Sequence, residues 1–418
     1  MDYKKQAFFN TVGNVVYLGC MWLLTVLVVR VSGYEDAGVL SLAMSVGNIF
    51  YFIGMYGMRS FQSSDVIHKY SDKTYIQTRI VTVGASVLLC VAYLGVLRIL
   101  GGGYGLYASC AILIYLLYRS LESGSDVLFG ELQKDGHLEV CGLSMSGKGA
   151  LSVVVFYVLL RFTNLNVAML GMVAVAAALL ILYDYNRYRA LHNEPDTPAN
   201  GTVRQLLVEG FPMLLTTLFP IIVTALPRLA LEKYYGEAIL GIYASICSPT
   251  VIITTLVPNI LCPFMTLYGK LYNEGKRAKL MRMFLLSLVL TVLLGAAACL
   301  MAWLFGDWAL SLLYDEQVLE YMYIFIPIIV ATVIYALSMC GNSVLISIRT
   351  PKALTAFAGA ALVVCAAISY PLTKAYGMWG TVIAFGLPFL VQFMLQTGYI
   401  IYKLLVCKPE ENRKEAVE

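Results

Sequence analysis

Apolar positions in this chain come in long blocks, and the blocks have the length of a membrane crossing. Runs of about 20 residues with few or no charges recur from one end to the other, and a helix rising 1.5 Å per residue needs about that many to traverse a hydrocarbon core of about 30 Å. The pattern predicts twelve helical spans, at 8–29, 38–58, 80–97, 103–122, 141–160, 166–184, 206–227, 238–263, 283–305, 321–345, 353–372 and 379–402. Polar positions are gathered in short connections between them. The first run follows Lys4 and Lys5, but it is too long for a signal-peptide core and no small-residue cleavage pattern follows it, so it is expected to be retained.

Composition agrees with that pattern and narrows the class. The 418 residues are 60% hydrophobic and 13% charged, with a mean hydropathy of +0.77, whereas a soluble domain carries about 25% charged residues. A water-soluble fold could not hide that much apolar surface, and nothing points to a nucleic-acid partner. The ten cysteines are scattered singly with no CxxC, and His68, His137 and His192 lie far apart, so neither a metal nor a cofactor is expected. With the N-terminus inside, 22 of the 29 Lys and Arg residues fall on inner segments or inner helix ends and 6 on outer ones. That asymmetry predicts a multi-pass membrane protein with both termini cytoplasmic.

The hydrophilic stretch YNRYRALHNEPDTPANGTVRQ at 185–205 divides the chain into two six-span halves, an N-terminal lobe at 1–184 and a C-terminal lobe at 206–407, with a cytoplasmic tail at 408–418. The halves resemble each other. Arg30-Val-Ser-Gly-Tyr-Glu-Asp-Ala-Gly38 leads into VLSLAMS, and Arg228-Leu-Ala-Leu-Glu-Lys-Tyr-Tyr-Gly-Glu-Ala-Ile-Leu-Gly241 leads into IYASICS. A parallel repeat of six spans is the architecture of two lobes rocking about a midplane site.

Candidate chemistry is mostly basic. Arg30 and Arg228 are the repeat-related pair, read either as interfacial anchors or as guanidinium groups turned into a cleft between the lobes, where they would bind phosphate bidentately. Lys148 stands about two turns into the fifth span and either snorkels to the surface or faces a wet cavity. Arg119, Glu122 and Asp126 share one stripe at i, i+3 and i+7, read as a self-neutralising ion network or, for Arg119, as part of the same positive cavity. Glu209, near the start of the seventh span, is a candidate coupling carboxylate or an interfacial one. Pro212, Pro220, Pro227, Pro249 and Pro258 should bend the seventh and eighth spans, either as tolerated kinks or as a mobile gate. Gly142-Leu-Ser-Met-Ser-Gly147-Lys148-Gly149 matches the GxxxxGK of a P-loop, but it opens a membrane span with no preceding strand and lacks the following Ser or Thr, so nucleotide binding is not expected.

The opening FFNTVGNVVYLGCMWLLTVLVVRVSGYEDAGVLSLA, RSLESGSDVLFGELQKDGHLEVCGLSMSGKGALS at 119–152, LPRLALEKYYGEAILGIYASI at 226–246 and the closing YGMWGTVIAFGLPF at 376–389 resemble the polysaccharide-transporter branch of the multidrug/oligosaccharidyl-lipid/polysaccharide exporter superfamily. The resemblance covers nearly the whole chain. It implies an all-α integral membrane protein of about twelve transmembrane helices in two pseudo-symmetric six-helix lobes, a V-shaped alternating-access transporter with a cationic cavity represented by Arg30, Lys148 and Arg228. It implies a flippase for undecaprenyl-diphosphate-linked oligosaccharide, working among membrane lipids beside glycosyltransferases and a polysaccharide polymerase. Where the family often places a charge before the arginine of the seventh span, this chain has Pro227. Two other readings are a cation-coupled multidrug exporter of the same fold, which would want a carboxylate in the first lobe's cavity, and a membrane polymerase or ligase, which usually carries a large outer catalytic loop.

Overall fold

The computed structural model describes residues 3–64, 69–192 and 201–405; His68, residues 193–200 of the interlobe stretch and the tail 408–418 lie outside them. The helices are α1 (Tyr3–Ser32), α2 (Tyr34–Met55), α3 (Met58–Ser64), α4 (Asp72–Ile99), α5 (Leu106–Lys134), α6 (Leu138–Phe162) and α7 (Leu165–Leu179). A π-helical turn (Leu180–Tyr185) then leads into α8 (Asn186–Leu191), followed by α9 (Val203–Cys247), α10 (Val251–Asn273), α11 (Arg277–Leu313), α12 (Phe325–Ser347), α13 (Pro351–Tyr376) and α14 (Met378–Leu405). No strand occurs among the described residues. The described residues form an all-α fold, and each of the twelve predicted spans overlaps a helix.

Ten helical stretches among the described residues are long and apolar enough to cross a membrane. One of them, Val203–Pro258, holds both the seventh span and most of the eighth. The fourth span lies in α5, whose hydropathy is diluted by Arg119, Glu122 and several hydroxyl groups.

Local sequence explains where helices start and stop. Ser71 accepts a hydrogen bond from the Thr74 amide at 3.2 Å to cap α4, and Asn164 does the same for Val167 at 3.1 Å to start α7. Glu35 and Asp36 sit in the first turn of α2, where a negative charge complements the helix dipole. The chain divides into two compact units, Met1–Ile221 with Glu237–Gly241, and Ile222–Gly236 with Ile242–Glu418.

The internal repeat is visible in the backbone. Gly33, between α1 and α2, has φ 87° and ψ −175°, and Gly236, which interrupts α9, has φ 83° and ψ 175°. Only glycine occupies that region readily, so each half spends a glycine at the same break. Within the first unit the two segments after these glycines cross with equivalent partners exchanged: a Cβ on Gly38 would lie 1.8 Å from Glu237 O, and one on Gly241 would lie 2.1 Å from Tyr34 O.

Packing repeats as well. In the first unit α1 lies against α6, α2 against α5, and α5 and α6 against α7. In the second, α10 lies against α12, α12 and α13 against α14, and Val223 of α9 against Cys365 of α13. The α1–α6 crossing is the closest in kind to a membrane small-residue interface. A Cβ on Gly13 would fall 2.1 Å from Gly142 O, and one on Gly149 would meet Tyr17 and Cys20 at 3.1 Å. The P-loop-like string is thus a stretch of continuous helix whose Gly142 and Gly149 let two backbones touch.

Candidate functional site

Charge is buried mainly in the first unit, in three clusters that branch from α5. The deepest lies where α6 packs on α7, with Lys148 turned inward. Its side chain is 1% exposed, and Nζ donates to Asp184 Oδ2 at 2.7 Å and to Ser125 Oγ. Ser125 Oγ and Ser144 Oγ donate to the two carboxylate oxygens of Asp184 at 2.6 and 2.5 Å, and the carboxylate is fully buried. Asp184 belongs to the π-helical turn Leu180–Tyr185, a local widening of the helix that recurs at functional sites. Lys148 therefore lies inside the unit against a carboxylate, rather than at a surface. The pair is electrically closed, since each charge is neutralised where water cannot solvate it.

Arg119 and Glu122 form the second cluster. Arg119 Nη1 donates to Glu122 Oε2 at 2.5 Å and to Tyr17 Oη at 3.2 Å, and the guanidinium lies 4.0 Å from the centre of the Tyr51 ring. Tyr17 Oη donates to Glu122 Oε1, and Tyr115 Oη donates to Asn48 Oδ1 at 3.3 Å. α1, α2 and α5 thus contribute a polar aromatic lining around one ion pair. A guanidinium on an aromatic face gains cation–π attraction that water would otherwise weaken.

Asp126, on the same stripe in sequence, belongs to a third cluster. Arg79 Nη2 meets Oδ2 at 3.0 Å and Arg59 Nη1 meets Oδ1 at 3.3 Å. Arg79 Nη1 also donates to Met55 O at 2.8 Å, satisfying a carbonyl at the end of α2. The helical stripe is real, but its members reach different partners. Glu209 pairs with Lys69 at 2.7 Å, and both side chains are well exposed, a pair of small energetic weight.

The other predicted residues are placed as follows. Arg30 is exposed near the end of α1. Arg228 is half-buried in the second unit, near the buried Tyr243 and Cys247, and makes no ion pair with a carboxylate among the described residues. Pro212, Pro220 and Pro227 are all accommodated within α9, and Pro258 within α10. Pro249 sits in a single 3-10 turn, Ser248–Thr250, that separates α9 from α10. Among the described residues no group of three or more His, Cys, Asp or Glu is placed to hold a metal.

Residues the sequence did not single out include Asp184, Tyr17, Tyr51 and Arg79. Asp184 had a usable signal, because an acid at the end of an apolar run demands a partner and Lys148 was the basic residue inside a span. His192 is another. At the end of α8 its Nε2 meets Asp72 Oδ2 at 2.7 Å and its Nδ1 meets Asp135 Oδ2 at 2.8 Å, while Tyr188 stacks on the ring. Burial disfavours the imidazolium, but the Asp135 hydrogen bond and the charges of Asp72, Asp135 and Glu131 outweigh it, and the His192 pKa is raised. The clamp's contribution to stability is full below the ordinary histidine pKa and is lost as pH rises through the raised one. Thermal melts across that range should show the protein losing stability on the alkaline side, and His192→Gln should flatten that dependence; an unchanged slope would show that the clamp is not linked to folding.

Comparison with known proteins fits this framework. The family model described as "Polysaccharide biosynthesis protein" matches residues 3–266, and the MatE model matches residues 212–371. The capsular polysaccharide biosynthesis protein CapF of Staphylococcus aureus is 25% identical over 318 residues, covering 75% of this chain and 78% of that protein. A structure described as the inward-facing conformation of a multidrug resistance MATE family transporter of the MOP superfamily is similar with a TM-score of 0.65 at 14% identity, covering 97% of this chain and 95% of that one. A MOP superfamily transporter from Pyrococcus furiosus is similar with a TM-score of 0.55 at 16% identity, covering 96% and 95%. The buried ion clusters therefore sit in a transporter scaffold, and the chain belongs to the polysaccharide biosynthesis protein family, the polysaccharide-transporter branch of the multidrug/oligosaccharidyl-lipid/polysaccharide exporter superfamily.

Proposed function

We propose that the protein is a flippase that carries undecaprenyl-diphosphate-linked oligosaccharide repeat units from the cytoplasmic to the outer leaflet of a bacterial cytoplasmic membrane, with both termini inside. Arg30 and Arg228 bind the diphosphate. Glycosyltransferases supply the substrate, a polymerase consumes it, and the flippase itself breaks no covalent bond. The observation that carries this reading over the drug-exporter alternative is the state of four carboxylates on α5 and in the turn after α7. Glu122 is engaged by Arg119 and Tyr17, Asp126 by Arg59 and Arg79, Glu131 by Lys134, and Asp184 by Lys148. An organic cation would have to displace a built-in one, whereas Arg228 has no acidic partner among the described residues to give up.

Energetics favour the direction. An inside-negative potential drives an anionic headgroup outward by about 2.3 kcal/mol per charge per 100 mV. The polyprenyl tail remains in lipid, so only the polar head requires a wet path.

The experiment is a comparison of two cargoes in the same vesicles. Purified full-length protein in proteoliposomes should accelerate the appearance of a fluorescent polyprenyl-diphosphate sugar in the opposite leaflet, and should not accelerate uptake of an organic-cation dye under a proton or sodium gradient. Gradient-driven dye transport with no movement of the lipid-linked sugar would replace this reading with the exporter.

A further inference from the structure

The turn between α10 and α11 carries a concentration of positive charge that Glu274, which lies 4.0 Å from Lys270 and 2.6 Å from Lys276, neutralises only in part. Lys270, Lys276, Lys279 and Arg282 are exposed, and the half-buried Arg277 donates to Leu404 O at 3.5 Å. Glu274, the carboxylate of this turn, is already taken by Lys276 at 2.6 Å. Lys279 and Arg282 make no ion pair among the described residues. The corresponding turn of the first half behaves differently: Arg59 and Arg79 share Asp126, and Lys69 pairs with Glu209. The repeat thus has one version whose charges are closed internally and one whose charges are open.

Position on the helix makes the open version more unusual. α11 begins at Arg277 and has no acidic residue in its first turn, so its basic residues oppose the helix dipole. The helix is 37 residues long, about 55 Å at 1.5 Å per residue, so its start projects beyond a hydrocarbon core of about 30 Å to the level of the headgroups. Leu280 and Phe284 are buried and fix this first segment against the second unit. The opposite face reads Lys279, Arg282, Leu286, Val289 and Leu293, all exposed and spaced at helical intervals. Two cations therefore stand above a stripe of lipid-facing aliphatic side chains. That order of charge over hydrocarbon is the complement of an anionic phospholipid, and juxtamembrane cations of this kind are attracted to such lipids.

We propose that the outer face of the first half of α11 is a binding site for an anionic phospholipid of the bilayer, its phosphate held by Lys279 and Arg282, with Lys276, whose ammonium Glu274 shares, beside them, and its acyl chain lying along Leu286, Val289 and Leu293. The site does not depend on what cargo the transporter moves.

The test uses the full chain in detergent, titrated with phosphatidylglycerol or phosphatidylcholine and followed by native mass spectrometry and thermal melting. Phosphatidylglycerol should be retained and should raise the melting midpoint, and phosphatidylcholine should do neither. The variant K276Q/K279Q/R282Q, altered only at exposed positions, should melt normally in phosphatidylcholine and bind phosphatidylglycerol about a hundredfold more weakly. Leu286→Asn provides a second reading, since it leaves every charge in place and should weaken retention of the lipid. Equal phosphatidylglycerol binding by the wild type and the triple variant would overturn the proposal. So would displacement of phosphatidylglycerol by an equimolar amount of undecaprenyl diphosphate, which would mark the face as a cargo site. Binding that emerges only after removal of residues 406–418 would overturn it too, by showing that the turn is covered by the chain's own tail.

Discussion

Asp184→Ala should leave little folded protein in the membrane. The substitution strands the Lys148 ammonium, 1% exposed, with the Ser125 hydroxyl and the face of the Phe129 ring 5.3 Å away but no carboxylate. Removing one partner of a buried ion pair costs about 3–5 kcal/mol, which is a large part of the about 5–15 kcal/mol that holds a typical domain together. Lys148→Ala should be harmful for the mirror reason, because it leaves a fully buried carboxylate uncompensated. The double variant Lys148→Met/Asp184→Leu should recover most of the loss, since well-packed apolar residues often replace a buried pair without penalty. Size-exclusion profiles and melting midpoints check these outcomes, and the single variants Lys148→Met and Asp184→Leu complete a double-mutant cycle with the double variant. An Asp184→Ala protein that melts like the wild type would mean that the pair carries no structural weight.

Transport, in contrast, should be most sensitive to arginines that contribute little to folding. Arg30 is exposed and Arg228 is only half-buried, so Arg30→Ala/Arg228→Ala is expected to express and melt normally. If both guanidinium groups hold the diphosphate, their loss removes charge-assisted hydrogen bonds worth about 1.5–3 kcal/mol each, enough to slow translocation of the lipid-linked sugar by about a hundredfold or more. Arg30→Lys/Arg228→Lys should retain part of the activity, because an ammonium keeps the charge but loses the bidentate fork. Wild-type flux through the double alanine variant would remove both residues from the cargo site.

The membrane fold was legible because its cause is one-dimensional. A run of apolar residues must be helical in lipid wherever it lies, so the spans could be read from apolar runs: each of the twelve overlaps a helix, and ten stretches among the described residues are long and apolar enough to cross. The repeat was legible for a related reason: Gly33 and Gly236 adopt a backbone conformation that few other residues tolerate, and the need for glycine is written locally. The P-loop-like string could be dismissed from its context, and the structure supplies the packing reason for its glycines.

Partnerships were a different matter. Periodicity correctly placed Arg119, Glu122 and Asp126 on one stripe of α5, yet it could not say that Glu122 would turn to Tyr17 of α1 while Asp126 turned to Arg59 and Arg79. Lys148 and Asp184 are on different helices, and their meeting depends on α6 packing against α7 and on Ser125 reaching in from α5. Such information exists only once the helices are packed. Charge by itself could not reveal that Glu122, Asp126, Glu131 and Asp184 are each paired with a cation and that Lys279 and Arg282 are not paired with a carboxylate among the described residues.

The widened turn at Leu180–Tyr185 has a consequence for how this transporter tolerates insertions and deletions. A π-helical turn accommodates an additional residue relative to regular α-helix. Deleting one residue there would let the turn relax to ordinary winding with the flanking segments in register, whereas a deletion in a regular α-helix swings everything beyond it by about 100° around the axis. In α6 such a swing would turn Lys148 from the carboxylate at 184 without any change in side-chain chemistry, so the ion pair is specified by a residue count as much as by residue identity.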